Sequence, residues 1–212
     1  MSQYSSRNKI LVGITGASGV VYGIKLAEML HAIGLLEAIV YTRSADHVAR
    51  EEMGVALTDL LKAMNTRIYR DDEIDAPYAS SSRIPLGGMV VAPCSMRTLA
   101  AIAHGIADNL VTRAALSTLR LQRRLVLVVR ETPLGVAELR NMLLAAENGA
   151  VVLPASPAFY HQPKTIDDMV RFIVGKVFDV LGIEHSLYHK WRSGDQDSDI
   201  PGKPPTKLER RL

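Results

Sequence analysis

Cysteine is nearly absent from this chain: one, Cys94, stands among 212 residues. A lone thiol cannot close a disulfide within the chain, which excludes a disulfide scaffold and fits a reducing, cytoplasmic setting. Aromatic side chains are also scarce, with three Phe and one Trp. Base-stacking surfaces need more of them, so the net charge of +3, spread along the chain, points to small anionic ligands rather than nucleic acid. No apolar run approaches the roughly 18 residues of a membrane span, and Met1 to Asn8 is short and polar, unlike a secretory leader. What remains is a 48% hydrophobic content, enough for one well-buried domain over residues 1–192. A polar, proline-bearing tail from Ser193 to Leu212 is expected to be mobile.

The most informative stretch is KILVGITGASG, Lys9 to Gly19, where an apolar strand runs into a glycine- and hydroxyl-rich turn that opens a helix. Amides at a helix start lack intrahelical partners and lie at the positive end of the dipole, so such a turn can hold a phosphate. Gly13, Gly16 and Gly19 would let the backbone approach an anion. The turn lacks the GK[ST] ending of a P-loop and the dinucleotide G-x-G-x-x-G spacing. A plain strand-to-helix turn is the alternative.

Strands and helices then alternate. Strands are expected at Ile10–Ile14, Ala38–Thr42, Thr66–Tyr69, Met89–Ala92 (broken by Pro93), Leu125–Val129 and Ala150–Leu153. Helices are expected at Val20–Ile33, stopped by Gly34, and at Ala45–Met53, Ala56–Met64, Ser95–Ala103, Asp108–Leu121 and Val136–Glu147. A last helix opens at Thr165-Ile-Asp-Asp168, with Ile166, Met169, Val170, Ile173, Val174, Val177, Phe178 and Leu181 as its core stripe. This alternation predicts an α/β fold: a doubly wound parallel sheet in a Rossmann-like three-layer α/β/α arrangement, with its ligand at the carboxyl ends of the strands. The turn at Gly16, Thr42, PCSMRT (Pro93–Thr98), RETP (Arg130–Pro133) and PASPAFY (Pro154–Tyr160) would then share one edge. Cys94 is expected to be a buried packing residue rather than a nucleophile, and Arg123 and Arg124 a solvated helix end.

Together, TGASG, PCSMRTLAAIAHGIADNL, RAA, RRLVLVVRETP, NML, GAVVLPASPAFYHQP and TIDDMVRFIVGKVFDVLGI resemble the UbiX-like flavin prenyltransferases from about Lys9 to Trp191. The resemblance implies a homo-oligomer, commonly a dodecamer, that joins dimethylallyl phosphate to reduced FMN without a metal and supplies a UbiD-like decarboxylase, with active sites at subunit interfaces. It assigns FMN contacts to Gly16, Ala17, Ser18, Thr42, Ser95, Met96, Arg97, Thr98 and Arg130. It places Arg113, Arg120, Tyr160 and Lys176 at the dimethylallyl phosphate, the first two reaching in from a neighbouring subunit. Ser18, Glu52, Glu131 and Tyr160 take the catalytic roles, the two glutamates as acid/base carboxylates.

The chain departs from the family pattern in several places. Ser80-Ser81-Ser82 replaces a Ser-Gly-Ser loop, so that a side chain at Ser81 would crowd the space beside the flavin. Arg120 replaces a lysine, Leu116 an aspartate, and Lys176 an arginine. A maturase or carrier that binds prenylated FMN and promotes its oxidation or delivery would tolerate these changes, and is the alternative. The flavin-dependent cysteine decarboxylases of similar fold are disfavoured because their PxMNxxMW segment is missing.

Overall fold

Every expected strand enters one sheet. A computed structural model describes residues 8–191, so the tail from Ser193 lies outside the described residues. Six strands, β1 (Ile10–Ile14), β2 (Leu36–Tyr41), β3 (Ile68–Arg70), β4 (Met89–Cys94), β5 (Leu125–Val129) and β6 (Val151–Pro154), lie in the order β3-β2-β1-β4-β5-β6. All neighbours pair in parallel. The inner strands β1 and β5 are buried along their whole length, as a sheet covered on both faces requires.

The covering helices are α1 (Val20–Ala32), α2 (Arg43–Met53), α3 (Leu57–Lys62), α4 (Met96–Ala103), α5 (Leu110–Arg120), α6 (Val136–Glu147) and α7 (Ile166–Leu181). Ile24 and Leu30 of α1 and Val170, Ile173, Val174 and Val177 of α7 pack with Val12, Val90 and Val126 on one face. Leu99 and Ile102 of α4 and Val111 and Ala114 of α5 pack with Leu11, Val91 and Leu127 on the other. Adjacent residues of a strand point to opposite faces, which is why Leu11 and Val12 belong to different layers. α7 starts with a reciprocal cap: Thr165 Oγ1 accepts the Asp168 N–H at 3.1 Å and Asp168 Oδ2 accepts the Thr165 N–H at 2.9 Å. Its stripe is buried from Val170 to Phe178, Leu181 is half-buried, and Ile166 is 78% exposed in the first turn, beyond the edge of the core.

Three expectations change. β4 is not broken by Pro93; it continues to Cys94, and the missing proline N–H falls where the register against β5 slips, between Val91 and Cys94. Arg123 and Arg124 are not a merely solvated helix end. Arg123 Nη1 donates to the Ile84 carbonyl and Arg124 Nη1 to the Val180 carbonyl, tying a loop and the end of α7 to the amino edge of the sheet. The serine loop also lies at that edge: Ser82 lines a cleft with Lys9 and Arg67, which precede β1 and β3. Ser81 is therefore remote from the carboxyl-edge turns of its own chain.

Candidate active site

The chain winds outward in one direction from β1 and in the other from β4, so a crevice opens above the carboxyl ends of these two strands. Thr15, buried just after β1, stitches the two sides together. Its hydroxyl donates to the Pro93 carbonyl at 2.7 Å and accepts the Ser95 N–H at 2.8 Å. Ser95 then caps α4, its Oγ accepting the Thr98 N–H at 3.3 Å and donating to Thr98 Oγ1 at 3.0 Å. Thr98 is buried, Met96 half-buried, and Arg97 exposed in an ion pair with Asp108 at 2.7 Å.

The turn after β2 closes against the turn after β1. A Cβ on Gly16 would stand 2.3 Å from Ser44 Oγ, so only glycine permits this approach. Thr42 Oγ1 accepts the Ala45 N–H at 3.1 Å, which starts α2, and lies 2.9 Å from Ser44 Oγ. Gly19 adopts φ +93°, the left-handed conformation that allows α1 to begin. Gly13, by contrast, is no ligand glycine: it sits within β1 under Met89, Val91 and Val111, where its small size serves packing.

The start of α1 already holds an anion, a carboxylate of the chain. Glu52, near the end of α2, accepts the Gly19 N–H at 2.9 and 3.0 Å and the Val20 N–H at 3.3 Å. A negative group there is stabilised by the helix dipole. The Gly19 and Val20 amides are thus occupied, while the exposed Ser18 hydroxyl has no hydrogen-bond partner among the described residues. Tyr22, half-buried, feels both Glu52 and Arg130. Burial pushes its phenol upward, Arg130 opposes this and Glu52 adds to it. Arg130 and Glu131 follow β5 and are exposed; Glu131 Oε1 accepts the Thr132 N–H at 2.9 Å.

Tyr160 and Lys176 both lie near Phe172, apart from the turns. The Tyr160 ring stands edge-on to Phe172, with 6.1 Å between centroids, and Lys176 Nζ lies 5.4 Å above the same Phe172 ring. Phe172 and Lys176 are one helical turn apart on α7, which puts them on one face. Burial works against the Lys176 charge, but hydrogen bonds and charge from Tyr188 and Asp179 outweigh it, so its pKa is raised. Among the described residues, no hydrogen bond or ion pair joins Tyr160 or Lys176 to the turn cluster.

Arg113 and Arg120 are exposed and seven residues apart on α5, hence on one outer face. Neither has an ion-pair partner among the described residues, and Arg120, at the end of α5, lies toward the amino edge, away from the turns of its own chain. Cys94 is wholly buried in apolar surroundings, which push its thiol pKa upward and make it a poor nucleophile. The described residues contain no grouping of three or more His, Cys, Asp or Glu suited to a metal ion.

Sequence reasoning singled out Gly16 to Ser18 and passed over Thr15, although it belongs to the same TGAS motif. It also passed over Ser44, Tyr22 and Phe172. Ser44 follows Thr42 closely enough to have been suspected; Tyr22 and Phe172 looked like ordinary helix residues.

A family model described as Flavoprotein matches residues 1–178. The flavin prenyltransferase UbiX of Saccharolobus solfataricus is 49% identical over 185 residues, covering 87% of this chain and 92% of that protein. A crystal structure of AnUbiX with FMN and dimethylallyl pyrophosphate superposes with a TM-score of 0.82 at 36% identity, covering 87% of this chain and 97% of the other. A dodecameric FMN-dependent UbiX-like decarboxylase from Escherichia coli O157:H7 gives a TM-score of 0.81 at 38% identity, with coverages of 86% and 98%. A sheet, a switch-point crevice and a near full-length match thus agree, and the chain belongs to the flavoprotein family, among its UbiX flavin prenyltransferases.

Proposed function

We propose that this protein is a flavin prenyltransferase that joins a dimethylallyl group from dimethylallyl phosphate to N5 and C6 of reduced FMN. The observation that carries the reading is the Thr15-stitched pair of turns at the switch point, in a chain 49% identical to a flavin prenyltransferase. An FMN needs an anion cradle, partners for its ribityl hydroxyls and an apolar wall. The start of α4, the hydroxyls of Ser18, Thr42, Ser44 and Ser95, the Arg130 guanidinium and Met96 fit those needs. When bound, the reduced flavin supplies the nucleophile, and the chain does the rest.

Lys176 and Tyr160 bind the donor phosphate, the ammonium neutralising charge and the phenol donating a proton or hydrogen bond as the C–O bond breaks. Glu131, at the mouth of the β5 turn, accepts the proton that ring closure at C6 releases. Glu52, held on the start of α1, fixes that turn and is the second carboxylate for proton movement. Arg113 and Arg120 serve a neighbouring subunit, since they face outward from their own. The homo-oligomer, a dodecamer on this reading, is supported by the dodecameric relative and by the apolar face that α6 presents, where Val136, Leu139 and Leu143 are 64%, 53% and 61% exposed. The prenylated product would pass to a UbiD-like decarboxylase. A cytoplasmic location accords with the single, buried cysteine.

Anaerobic turnover of the FMN-loaded protein with reduced FMN and dimethylallyl phosphate, followed by mass spectrometry of the flavin, tests this. A flavin heavier by the prenyl addition is expected. An unchanged flavin together with faster oxidation of supplied prenylated FMN would instead support the maturase reading.

A further inference from the structure

A lysine offers phosphate a point charge on a flexible stem, whereas an arginine brings its own flat, two-pronged geometry. Lys176 must therefore be aimed by its surroundings. Its ammonium lies 4.7 Å above the Tyr188 ring and 5.4 Å above Phe172, in a cation–π box. Tyr188 is itself fixed twice. Its hydroxyl donates to Asp179 Oδ2, and its ring occupies a notch over Gly175, where a Cβ would come within 2.6 Å of Tyr188 Cε1. Asp179 is fully engaged: Oδ1 pairs with His185 Nε2 at 3.0 Å and Lys190 Nζ at 3.8 Å, and Oδ2, besides Tyr188, meets Lys176 Nζ at only 3.4 Å. An ammonium has three donors, so with Tyr188 and Asp179 as partners one remains for another anion.

We propose that Tyr188 is a positioning residue for Lys176: seated over Gly175 and tied to Asp179, its ring aims the ammonium at the phosphate of an allylic phosphate donor that also meets Tyr160. This rests on the flavin prenyltransferase reading. Gly175, Tyr188 and Asp179 form one device: the notch seats the ring, and the tether adds to its hold.

The test uses FMN-loaded protein carrying Tyr188→Leu, Tyr188→Phe or Gly175→Ala, and a Lys176→Ala background. Donor binding is read by calorimetry with dimethylallyl phosphate and with inorganic phosphate, and turnover by steady-state kinetics. Tyr188→Leu should weaken donor binding and raise KM roughly three- to thirty-fold with kcat little changed, because uniform binding is lost. Tyr188→Phe, which keeps the ring, should recover most of this, and Gly175→Ala, which evicts the ring, should reproduce the loss. In the Lys176→Ala background Tyr188→Leu should have no further effect. Unchanged donor affinity in Tyr188→Leu and Gly175→Ala would overturn the proposal, as would an equal loss of FMN affinity or a full effect without Lys176. If Tyr188→Leu does not fold, Gly175→Ala decides. Absence of any prenyl transfer by the wild-type protein would defeat the functional reading alone, since phosphate binding still judges Tyr188.

Discussion

The turns at the carboxyl edge and the outer faces of α5 and α6 are built from the same α/β repeats yet differ in how complete they are. At the carboxyl edge the turns are knit together within the chain: Thr15 with Pro93 and Ser95, Thr42 with Ala45 and Ser44, Glu52 with Gly19 and Val20. On the outer faces, Arg113 and Arg120 stand exposed on α5 and leucines stand exposed on α6. On the proposed reading, the cofactor cradle is organised within one subunit and the donor side is completed by a neighbour. A parallel sheet puts the helix starts, with their free amides, at one edge. Its outer helical faces carry no such row of free amides.

Removing chemistry without removing the cradle should have the largest effect. Tyr160→Phe and Glu131→Gln are each expected to slow prenyl transfer by about 10²–10⁴ in single turnover while FMN affinity, measured by fluorescence titration, stays the same. A parallel loss of FMN binding would break the comparison. Next in size, Arg120→Ala should raise the donor KM by roughly ten- to a hundredfold, the weight of a hydrogen bond to a charged group. On the proposed reading, in which Arg120 acts across an interface, hybrid oligomers of Arg120→Ala and Tyr160→Phe subunits should turn over faster at low donor concentration than either parent. No such gain would return Arg120 to its own chain.

A smaller effect is expected from Leu139→Asp with Leu143→Asp. Light scattering should show smaller assemblies, and donor binding should weaken through linkage to assembly, while the subunit fold, followed by circular dichroism, persists because both sites are exposed.

The smallest effect concerns pH and should leave the comparison untouched. Asp167 is held below the ordinary carboxylate range by its hydrogen bond to Arg171, with Lys25 assisting, and Asp168 by the Lys164 amide and the Thr165 cap. Both carboxyls have a lower pKa folded than unfolded. Their contribution is therefore present above the unfolded value, near pH 4, and is lost as pH falls through the folded value. Thermal unfolding of Asp168→Asn should show a flatter decline of Tm below about pH 4 than the parent.

The amino-acid sequence by itself determined the strands, the helix starts and the edge on which the cofactor turns lie, because these depend on local patterns. Apolar runs in β1 and β5, Thr42, Ser95 and Thr165 as caps, and the glycine at Gly19 each act within a few residues of themselves. Recognisable motifs also made the family legible. Tertiary structure alone decided which distant groups meet: Thr15 with Pro93, 78 residues apart, Glu52 with Gly19, 33 residues apart, and Tyr188 over Gly175 under Lys176. It alone also sent the serine loop and Arg120 to the amino edge. Periodicity says which side of a helix faces the sheet, but the carboxylate that finds a helix start, and the ring that finds a missing Cβ, are set by how whole elements pack.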